Sequence, residues 1–349
     1  MRRTLFCSIF LLLLSVSVAF SLSGCLKRGP DREQVNPGEK IVIKFSHVVA
    51  EDTPKGQAAL RFARLAAERT GGRVEVQVFP NSVLYKDGEE LTALEENKVQ
   101  LIAPTSSKLG QIFPELQIFD LPYLFEDTEQ VHRAMDGELG KKLAAIMSKN
   151  NFLPLAYWDN GFKQMTNSRR PLVSPADFSG ISFRCMINSS VLEEQFRVLG
   201  ANAVQLPFNE VYGALARRVV DGQENTMSNI VSQRFDEVQP YLTISNHGFM
   251  CYVVLTNGAF WQSLPEDIRK ILADTMEEVI AWEREKAKEL NERDFLKVKS
   301  SGRVQIHTLT EEEKKEWKKA WEPLYEKFTG VFGADPRDSL LRGSGSGGN

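Results

Sequence analysis

The sequence contains few of the residues that build catalytic and metal-binding sites. Its 349 residues include only four histidines and four cysteines, and the histidines are scattered along the chain. It has no Walker loop, no His-Glu-x-x-His motif and no Cys-x-x-Cys motif, and no side chains are spaced as a nucleophile and its base. We therefore expect neither an enzyme nor a protein that carries a metal ion or a cofactor.

An excess of charge of either sign is also missing. The chain has 43 basic and 46 acidic residues, for a formal net charge of −3. Nucleic-acid-binding proteins usually carry a basic patch or stripe, and this balance gives no reason to expect a nucleic-acid partner. A site for an anion must therefore be built locally, from a few hydrogen-bond donors.

The long apolar run of this chain lies at its N-terminus. Arg2 and Arg3 precede an apolar run at 5–20, and Leu22–Cys25 follows it. This pattern is typical of a signal peptide, and the run is too short for a confident membrane span. The order Leu-Ser-Gly-Cys matches the bacterial lipobox, which predicts a lipid on Cys25 and an extracytoplasmic protein anchored to a bacterial membrane. The alternative is an ordinary signal peptide that contains a cysteine.

Two cysteines remain in the body of the chain, because Cys7 leaves with the signal peptide and Cys25 is assigned to the lipid. Cys185 and Cys251 lie far apart in apolar, strand-like runs and have no metal-ligand spacing. They are either two buried thiols or a disulfide, which an extracytoplasmic location permits.

Strand and helix patterns alternate along the rest of the chain. Ile41–Ser46 alternates as a strand, Pro54–Arg69 has helical spacing, and 74–78 alternates again. This rhythm predicts an α/β fold with a largely parallel sheet. A second stretch of the same kind runs over 152–248, and the length of the chain predicts two lobes.

Three longer elements complete the predicted architecture. Phe249–Thr256 is a long apolar strand, and a long charged helix follows it as far as about Lys297. Thr310 and Glu313 form a capping box for a last helix that ends near Phe328.

One arginine in the centre of the chain stands at the end of a predicted strand. Gly180–Arg184 is a mainly apolar run that ends in the guanidinium side chain. Ligands of open α/β sheets bind at the carboxyl ends of strands, and the arginine fork matches a carboxylate with two parallel hydrogen bonds. Arg184 is therefore a candidate for binding a carboxylate in a cleft between lobes. The alternative is an arginine in a structural ion pair.

The residues around Arg184 carry a family resemblance. The segments that carry it are Phe119–Phe125, Trp158–Lys163, Phe183-Arg184, Pro207–Leu215, Asp221–Asn225 and Ser245–Gly248. Together they resemble the signature of TRAP transporter solute-binding proteins of the DctP type, over nearly the whole chain beyond the N-terminal segment. The resemblance implies a binding protein that captures a small organic acid and delivers it to the membrane subunits of a TRAP-type transporter.

The resemblance also implies the architecture. It is an α/β, two-lobe fold like that of periplasmic binding proteins, a hinged trap with bridging strands and a long interdomain helix. We expect a monomer. Its expected parts are a lipoprotein signal peptide at 1–24, a flexible tether at 25–39, an N-terminal lobe at 40–160 and 251–290, a C-terminal lobe at 161–250 and 291–333, and a disordered tail at 334–349.

Three ligand contacts are implied in the C-terminal lobe. Arg184 is the carboxylate clamp, Asn225 is a polar contact, and Phe208 is an apolar wall of the pocket. The plainer alternatives are that Asn225 caps a helix or turn and that Phe208 is ordinary core.

Four further contacts follow from the same resemblance. Lys163 stands where the sialic-acid branch has an arginine, and it resembles the four-carbon dicarboxylate branch. The N-terminal lobe of that branch would supply His47, Lys55 and Ser107, the last from a loop at 105–107. The alternatives are a solvated surface lysine for Lys163, a histidine satisfied within the fold for His47, and a surface charge for Lys55.

A four-carbon diacid such as succinate, fumarate or malate is the ligand that this site favours. Two cations that face one small cavity repel each other unless the ligand brings compensating charge. Two alternatives stay open. One is a monocarboxylate, such as a 2-oxo acid or a sugar acid, and the other is a sensory partner that presents its ligand to a membrane receptor.

Overall fold

A computed structural model describes residues 40–333 and 336–337. The predicted signal peptide, the lipidation site at Cys25 and the tether at 25–39 lie outside the described residues. The same holds for the predicted tail at 334–349 apart from two residues.

The strands form two sheets. In chain order the strands are β1 (Ile41–Ser46), β2 (Val74–Phe79), β3 (Leu101–Ile102), β4 (Phe152–Phe162), β5 (Gln164–Asn167), β6 (Ser182–Cys185), β7 (Asn202–Gln205), β8 (Gly222–Asn225), β9 (Tyr241–Ile244), β10 (Phe249–Asn257) and β11 (Gln305–Thr308). The first sheet has the order β2-β1-β3-β10-β4, and the second has the order β11-β9-β5-β8-β6-β7. Each sheet is the framework of one lobe.

Both sheets are mixed, which corrects the expectation of a largely parallel arrangement. In the first sheet β1 lies parallel to β2 and β3, but β10 lies antiparallel to β3 and β4. In the second sheet β5 lies antiparallel to β8 and β9, whereas the other three pairs are parallel. β10 runs antiparallel to both of its neighbours in the first sheet. β5 follows β4 directly in the chain and runs antiparallel to both of its neighbours in the second sheet.

Helices cover the sheets and connect the strands. The α-helices are α1 (Pro54–Arg69), α2 (Glu90–Glu95), α3 (Thr128–Asp136), α4 (Glu138–Ser148), α5 (Ser190–Arg197), α6 (Val211–Ala216), α7 (Met227–Ser232), α8 (Gly258–Ser263), α9 (Glu266–Ser301) and α10 (Glu311–Phe332). Short 3₁₀ helices lie at Ser106–Leu109, Pro114–Asp120, Pro175–Phe178, Phe208–Glu210 and Phe235–Glu237.

Several of these bounds agree with the sequence pattern. β1 and α1 have the predicted limits, and Thr53 caps α1 by accepting a hydrogen bond from the Gly56 N–H. The predicted capping box is present at the start of α10, where Thr310 and Glu313 satisfy each other's backbone N–H groups. β10 is buried along its whole length, as expected of a near-continuous apolar run covered on both faces.

The chain crosses between the two sheets three times, at two adjacent short segments and through the segment between β10 and β11 that contains α9. Lys163 is the single residue between β4 in the first sheet and β5 in the second, and Ser245–Gly248 joins β9 to β10. The two short crossings are tied together, because the Lys163 backbone N–H donates to the Gly248 carbonyl oxygen at 2.8 Å. These few residues therefore help to fix the relative orientation of the lobes.

The long helix α9 contacts both lobes. Its buried residues, from Ile268 to Val298, recur every three or four positions and form one stripe, the pattern of an amphipathic helix. The helix packs against α1 and β4 on the side of the first sheet, and against α7 on the side of the second. Within the range that the structure covers, no helix is both long and apolar enough to cross a bilayer.

Candidate functional site

A small cavity lies between the two sheets, at the ends of their strands. Its volume is about 10 Å³, room for about one water molecule. The first lobe and β10 contribute Val48, Val49, Thr105, Lys108, Met250 and Tyr252, and the second lobe contributes Arg184, Met186, Phe208, Asn225 and Asn229. Most of these residues follow the carboxyl end of a strand, the usual place for ligands of α/β sheets.

Arg184 is the central cation of this cavity. It lies on β6 and is 1% exposed, and its Nε donates to the Leu206 carbonyl oxygen at 3.0 Å. Its Nη2 has no hydrogen-bond partner, and among the described residues no carboxylate oxygen lies within 4.0 Å of the guanidinium. Burial lowers the pKa of Arg184, although the group stays charged. A buried guanidinium with an unused donor is suited to bind a carboxylate.

The charges around Arg184 leave an excess of positive charge. Lys108 forms a buried ion pair with Asp87, and Lys55 lies 3.8 Å above the Tyr252 ring centroid. Burial raises the pKa of Glu90 to about 8, so this carboxyl is mainly protonated at neutral pH. Burial and the charge of Lys108 lower the pKa of Lys55 to about 7. Asp87 balances Lys108, but no carboxylate among the described residues is paired with Arg184, so an anionic ligand would meet a net positive environment.

Amide and hydroxyl groups form the polar part of the wall. Asn225 lies at the end of β8, next to β6 in the sheet, and its Oδ1 accepts from Asn229 Nδ2 at 2.8 Å. The same Asn229 nitrogen lies 3.5 Å from the Tyr252 hydroxyl, and Asn229 Oδ1 has no hydrogen-bond partner among the described residues. These groups can orient a ligand's oxygens beside the arginine.

Three of the seven predicted contacts, Arg184, Asn225 and Phe208, line the cavity. Phe208 is 5% exposed and also belongs to the apolar core of the second lobe, where its ring lies 6.2 Å from that of Phe235. The structure therefore places Phe208 at the cavity wall and in the core at once.

Lys163 is buried but does not line the cavity. Its Nζ donates to Glu224 Oε1 at 2.6 Å, and both side chains are at most 1% exposed. Glu224 Oε2 also accepts from Gln195 at 2.8 Å and lies 2.7 Å from His247 Nε2. Lys163 thus belongs to a buried network at the crossing between the lobes, and its ammonium group already has a carboxylate partner.

The other three predicted contacts are also buried and do not line the cavity. Lys55, in the first turn of α1, donates to the Ala103 carbonyl oxygen at 2.8 Å. Burial and the neighbouring charge of Lys55 lower the pKa of His47 to about 3, so its imidazole is neutral. Ser107 donates to Asp120 Oδ1 at 2.6 Å, and burial raises the pKa of Asp120 to about 6.

Lys108 and Tyr252 are the cavity residues that sequence reasoning missed most clearly. Lys108 follows the 105–107 loop that was expected to reach the ligand, so its position after the third strand was the available signal. Tyr252 lies within the apolar run of β10, and nothing in that run distinguishes its hydroxyl from a buried aromatic residue.

The described residues offer no metal-binding group and no disulfide. No cluster of three or more histidine, cysteine, aspartate or glutamate side chains is arranged to hold a metal ion in the part of the chain that the structure describes. Cys185 and Cys251 are buried free thiols, and burial raises the pKa of each to about 12.

Known proteins are similar to this chain in sequence and in fold. The chain is 43% identical over 311 residues to the C4-dicarboxylate-binding protein DctB of Bacillus subtilis, covering 89% of each chain. A TRAP periplasmic solute-binding protein from Shewanella oneidensis, solved with bound succinate, aligns with a TM-score of 0.85 at 44% identity, over 87% of this chain and 99% of that one. A TRAP periplasmic solute-binding protein from Pseudomonas aeruginosa, solved with bound L-malate, aligns with a TM-score of 0.79 at 42% identity, over 82% of this chain and 99% of that one. These likenesses confirm the α/β, two-lobe fold.

The family profile covers most of the chain. Residues 45–330 match the DctP family, described as bacterial extracellular solute-binding protein, family 7. Members of this family are the solute-binding components of transport systems and are not enzymes. This confirms the expectation that the chain is not an enzyme. On the profile and these identities, the chain belongs to the DctP family and is a TRAP transporter solute-binding protein.

Proposed function

We propose that this chain captures a four-carbon dicarboxylate, such as succinate, fumarate or malate, and delivers it to the membrane subunits of a TRAP-type transporter. The observation that carries the proposal is the buried Arg184, whose Nη2 faces no partner in the cavity wall. The name of the Bacillus subtilis relative and the succinate and L-malate in the two solved structures support the same ligand class.

The two ends of a diacid match the two sides of the cavity. Arg184 binds one carboxylate through its planar fork, and Asn225 contributes an amide beside it. Lys108, from the other lobe, is the cation for the second carboxylate, because its ammonium group has three donors and, among the described residues, one ion-pair partner, Asp87. Phe208 and Met186 give the carbon chain an apolar wall.

Hinge closure is part of the proposal. A cavity of about 10 Å³ is too small to hold a four-carbon acid, so the lobes must separate for the ligand to enter and then close around it less far than they are closed here. A ligand that binds Arg184 in one lobe and Lys108 in the other favours the closed state, because it makes both contacts only there. The crossings at Lys163 and 245–248 are the segments about which the lobes would turn.

The four predicted contacts that do not line the cavity act on the ligand indirectly in this proposal. Lys163 holds Glu224, the neighbour of Asn225 on β8. Lys55 stacks on the ring of Tyr252, and His47 and Ser107 are buried without lining the cavity.

Calorimetry with a panel of acids tests the ligand class. We expect the protein to bind succinate, fumarate and malate more tightly than acetate, pyruvate or glucose. Arg184→Ala should weaken succinate binding by roughly two to three decades, because removing one partner of a buried charge pair costs about 3–5 kcal/mol. Arg184→Lys should also bind poorly, because the two parallel hydrogen bonds are lost.

A matched control is available at Arg170. Its guanidinium also donates to backbone carbonyl oxygens, those of Asp177 and Ser179, but on the surface of the second lobe. Arg170→Lys should leave succinate affinity unchanged. Wild-type affinity in Arg184→Ala would contradict the clamp, and preference for pyruvate or a sugar acid would favour a monocarboxylate ligand.

We also propose that Cys25 carries a lipid, that the protein is anchored by it to a bacterial membrane, and that it works as a monomer. The support is the order Leu-Ser-Gly-Cys at the end of the predicted signal peptide. If the membrane subunits were replaced by a receptor, the same cleft would serve a sensory role. Transport of succinate into vesicles that contain TRAP membrane subunits, dependent on this protein, distinguishes the two.

A further inference from the structure

Asp87 connects the two lobes next to the cavity. It lies in the segment between β2 and α2, and its side chain is 1% exposed. Its Oδ1 accepts from Lys108 Nζ in the same lobe, and its Oδ2 accepts from the Phe208 backbone N–H of the other lobe at 2.7 Å. One buried carboxylate thus contacts a cavity cation on one side of the cleft and a cavity wall on the other.

The backbone on both sides of the Asp87–Phe208 contact has features that hold it in position. Gly88 has a φ of +86°, a conformation that favours glycine, and a Cβ at this position would lie 3.6 Å from the Ile187 side chain of the second lobe. In the second lobe, Arg184 Nε holds the Leu206 carbonyl oxygen at 3.0 Å, two residues before Phe208. The segment that donates to Asp87 is therefore fixed by the arginine of the clamp.

Asp87 is charged and buried, so it needs the Phe208 N–H as a partner, and it has this partner only while the lobes are closed. Burial by itself raises the pKa of Asp87, but Lys108, the Phe208 N–H and Arg184 together hold it below its usual value. The carboxylate is therefore ionised in the closed protein, and a buried ion is stable only while its partners stay in place. Separation of the lobes removes the Phe208 N–H from it.

We propose that Asp87 is a closure latch: a positioning residue that holds the lobes together across the cleft through Phe208 while it orients Lys108. The latch rests on the proposed function for its use of lobe closure. It makes no contact with the ligand in this role, and it acts by lowering the free energy of the closed state. Loss of the latch should therefore speed ligand release more than it slows ligand capture.

Rapid-mixing kinetics with succinate tests this proposal. In Asp87→Ala, dissociation of succinate should be roughly ten- to a hundredfold faster, the range expected for a lost hydrogen bond to a charged group, and association should change much less. Asp87→Asn keeps an oxygen for the Phe208 N–H and should show a smaller increase. The ordered series wild type, Asn, Ala is the signature of a latch.

Asp177 supplies the matched control. Its carboxylate also accepts from backbone N–H groups, those of Val173 and Ser174, but within the second lobe. Asp177→Ala should lower stability without changing the rate of succinate release. A folded Asp87→Ala that releases succinate at the wild-type rate, or an Asp177→Ala that matches its rate, overturns the latch.

A distance measurement separates failure of the latch from failure of the proposed function. Spin labels at Leu60→Cys and Val219→Cys, exposed positions in the two lobes, report the distribution of inter-lobe distances. Asp87→Ala should reduce the population with the short distance, both with and without succinate. Absence of succinate binding by the wild type would overturn the proposed ligand, whereas an unchanged distance distribution in Asp87→Ala would overturn the latch.

Discussion

The ammonium group of Lys163 has a buried carboxylate partner, Glu224. We therefore expect removal of the Lys163 charge to lower the stability of the fold. Lys163→Met would leave the Glu224 carboxylate buried with one charge uncompensated. We expect the free energy of unfolding to fall by about 3–5 kcal/mol, measured by urea denaturation. Adding Glu224→Gln should restore part of the loss, because the unpaired charge is then removed.

Lys141 is the control for this experiment. Its ion pair with Glu138 is 70% and 84% exposed, so Lys141→Met should change stability by less than about 0.5 kcal/mol. If Lys163→Met were instead as stable as the wild type and bound succinate poorly, Lys163 would be a direct ligand contact, as the family resemblance implies.

The buried groups beside the cavity predict that succinate affinity falls as the pH rises. Lys55, with a pKa lowered to about 7, loses its positive charge above that pH. Glu90, with a pKa raised to about 8, gains negative charge over a similar range. Both changes oppose an anion, so affinity should decrease on the order of tenfold between pH 6 and pH 9.

Calorimetry in buffers of different ionisation enthalpy provides the measurement. Succinate binding should take up protons near pH 8, because the anion favours charged Lys55 and neutral Glu90. The double variant Lys55→Met, Glu90→Gln should bind with little dependence on pH in this range. Proton release by the wild type would contradict the assignment.

Among the elements, the crossing strand β4 holds a glycine that another residue cannot easily replace. Gly161 has a φ of +115°, and a Cβ there would lie 3.0 Å from Asn291 Nδ2. Asn291, on α9, donates to the Asn160 carbonyl oxygen and accepts from the Ser228 N–H, so it ties α9 to both lobes. Gly161→Ala should lower stability by roughly 1–3 kcal/mol, measured by thermal unfolding.

Gly330 in α10 gives the comparison. It is helical, and a Cβ added at this position would have no atom within 4 Å from the other described residues, apart from the neighbouring backbone of its own helix. Gly330→Ala should keep or slightly raise stability, because alanine is the better helix former. Equal stability of the two variants would show that the backbone at Gly161 relaxes without cost.

At the scale of the whole molecule, lobe closure predicts compaction on binding. A ligand that contacts both lobes shifts the population toward the closed state. The radius of gyration from small-angle scattering should therefore decrease when succinate is added. Arg184→Ala at the same succinate concentration should show no change, and an unchanged radius in saturated wild type would contradict the hinge.

The lipid anchor is a separate prediction for the whole molecule. Cys25→Ala should move the protein from the membrane fraction to the soluble fraction, because the buried acyl chains provide the attachment. Succinate affinity should be unaffected. Retention of the variant on membranes after a salt wash would show that the lipid is not the anchor.

Local patterns in the sequence determined the elements and part of the site. The limits of β1 and α1 and the capping box of α10 depend on interactions within a few residues, which are visible in the sequence. Arg184 stands at the end of β6, which can be recognised from its apolar run. Asn225 ends the polar strand β8 and was implied only by the family resemblance. Family resemblance then identified the class of protein.

Tertiary structure alone decided which charges face the cavity and which face each other. The partner of Lys163 is 61 residues away in Glu224, and Asp87 meets Phe208 across 121 residues and two lobes. Spacing cannot predict such contacts, because they depend on how β4 and β10 cross between the sheets. For the same reason Lys108 and Tyr252 entered the cavity wall only when the two lobes were brought together.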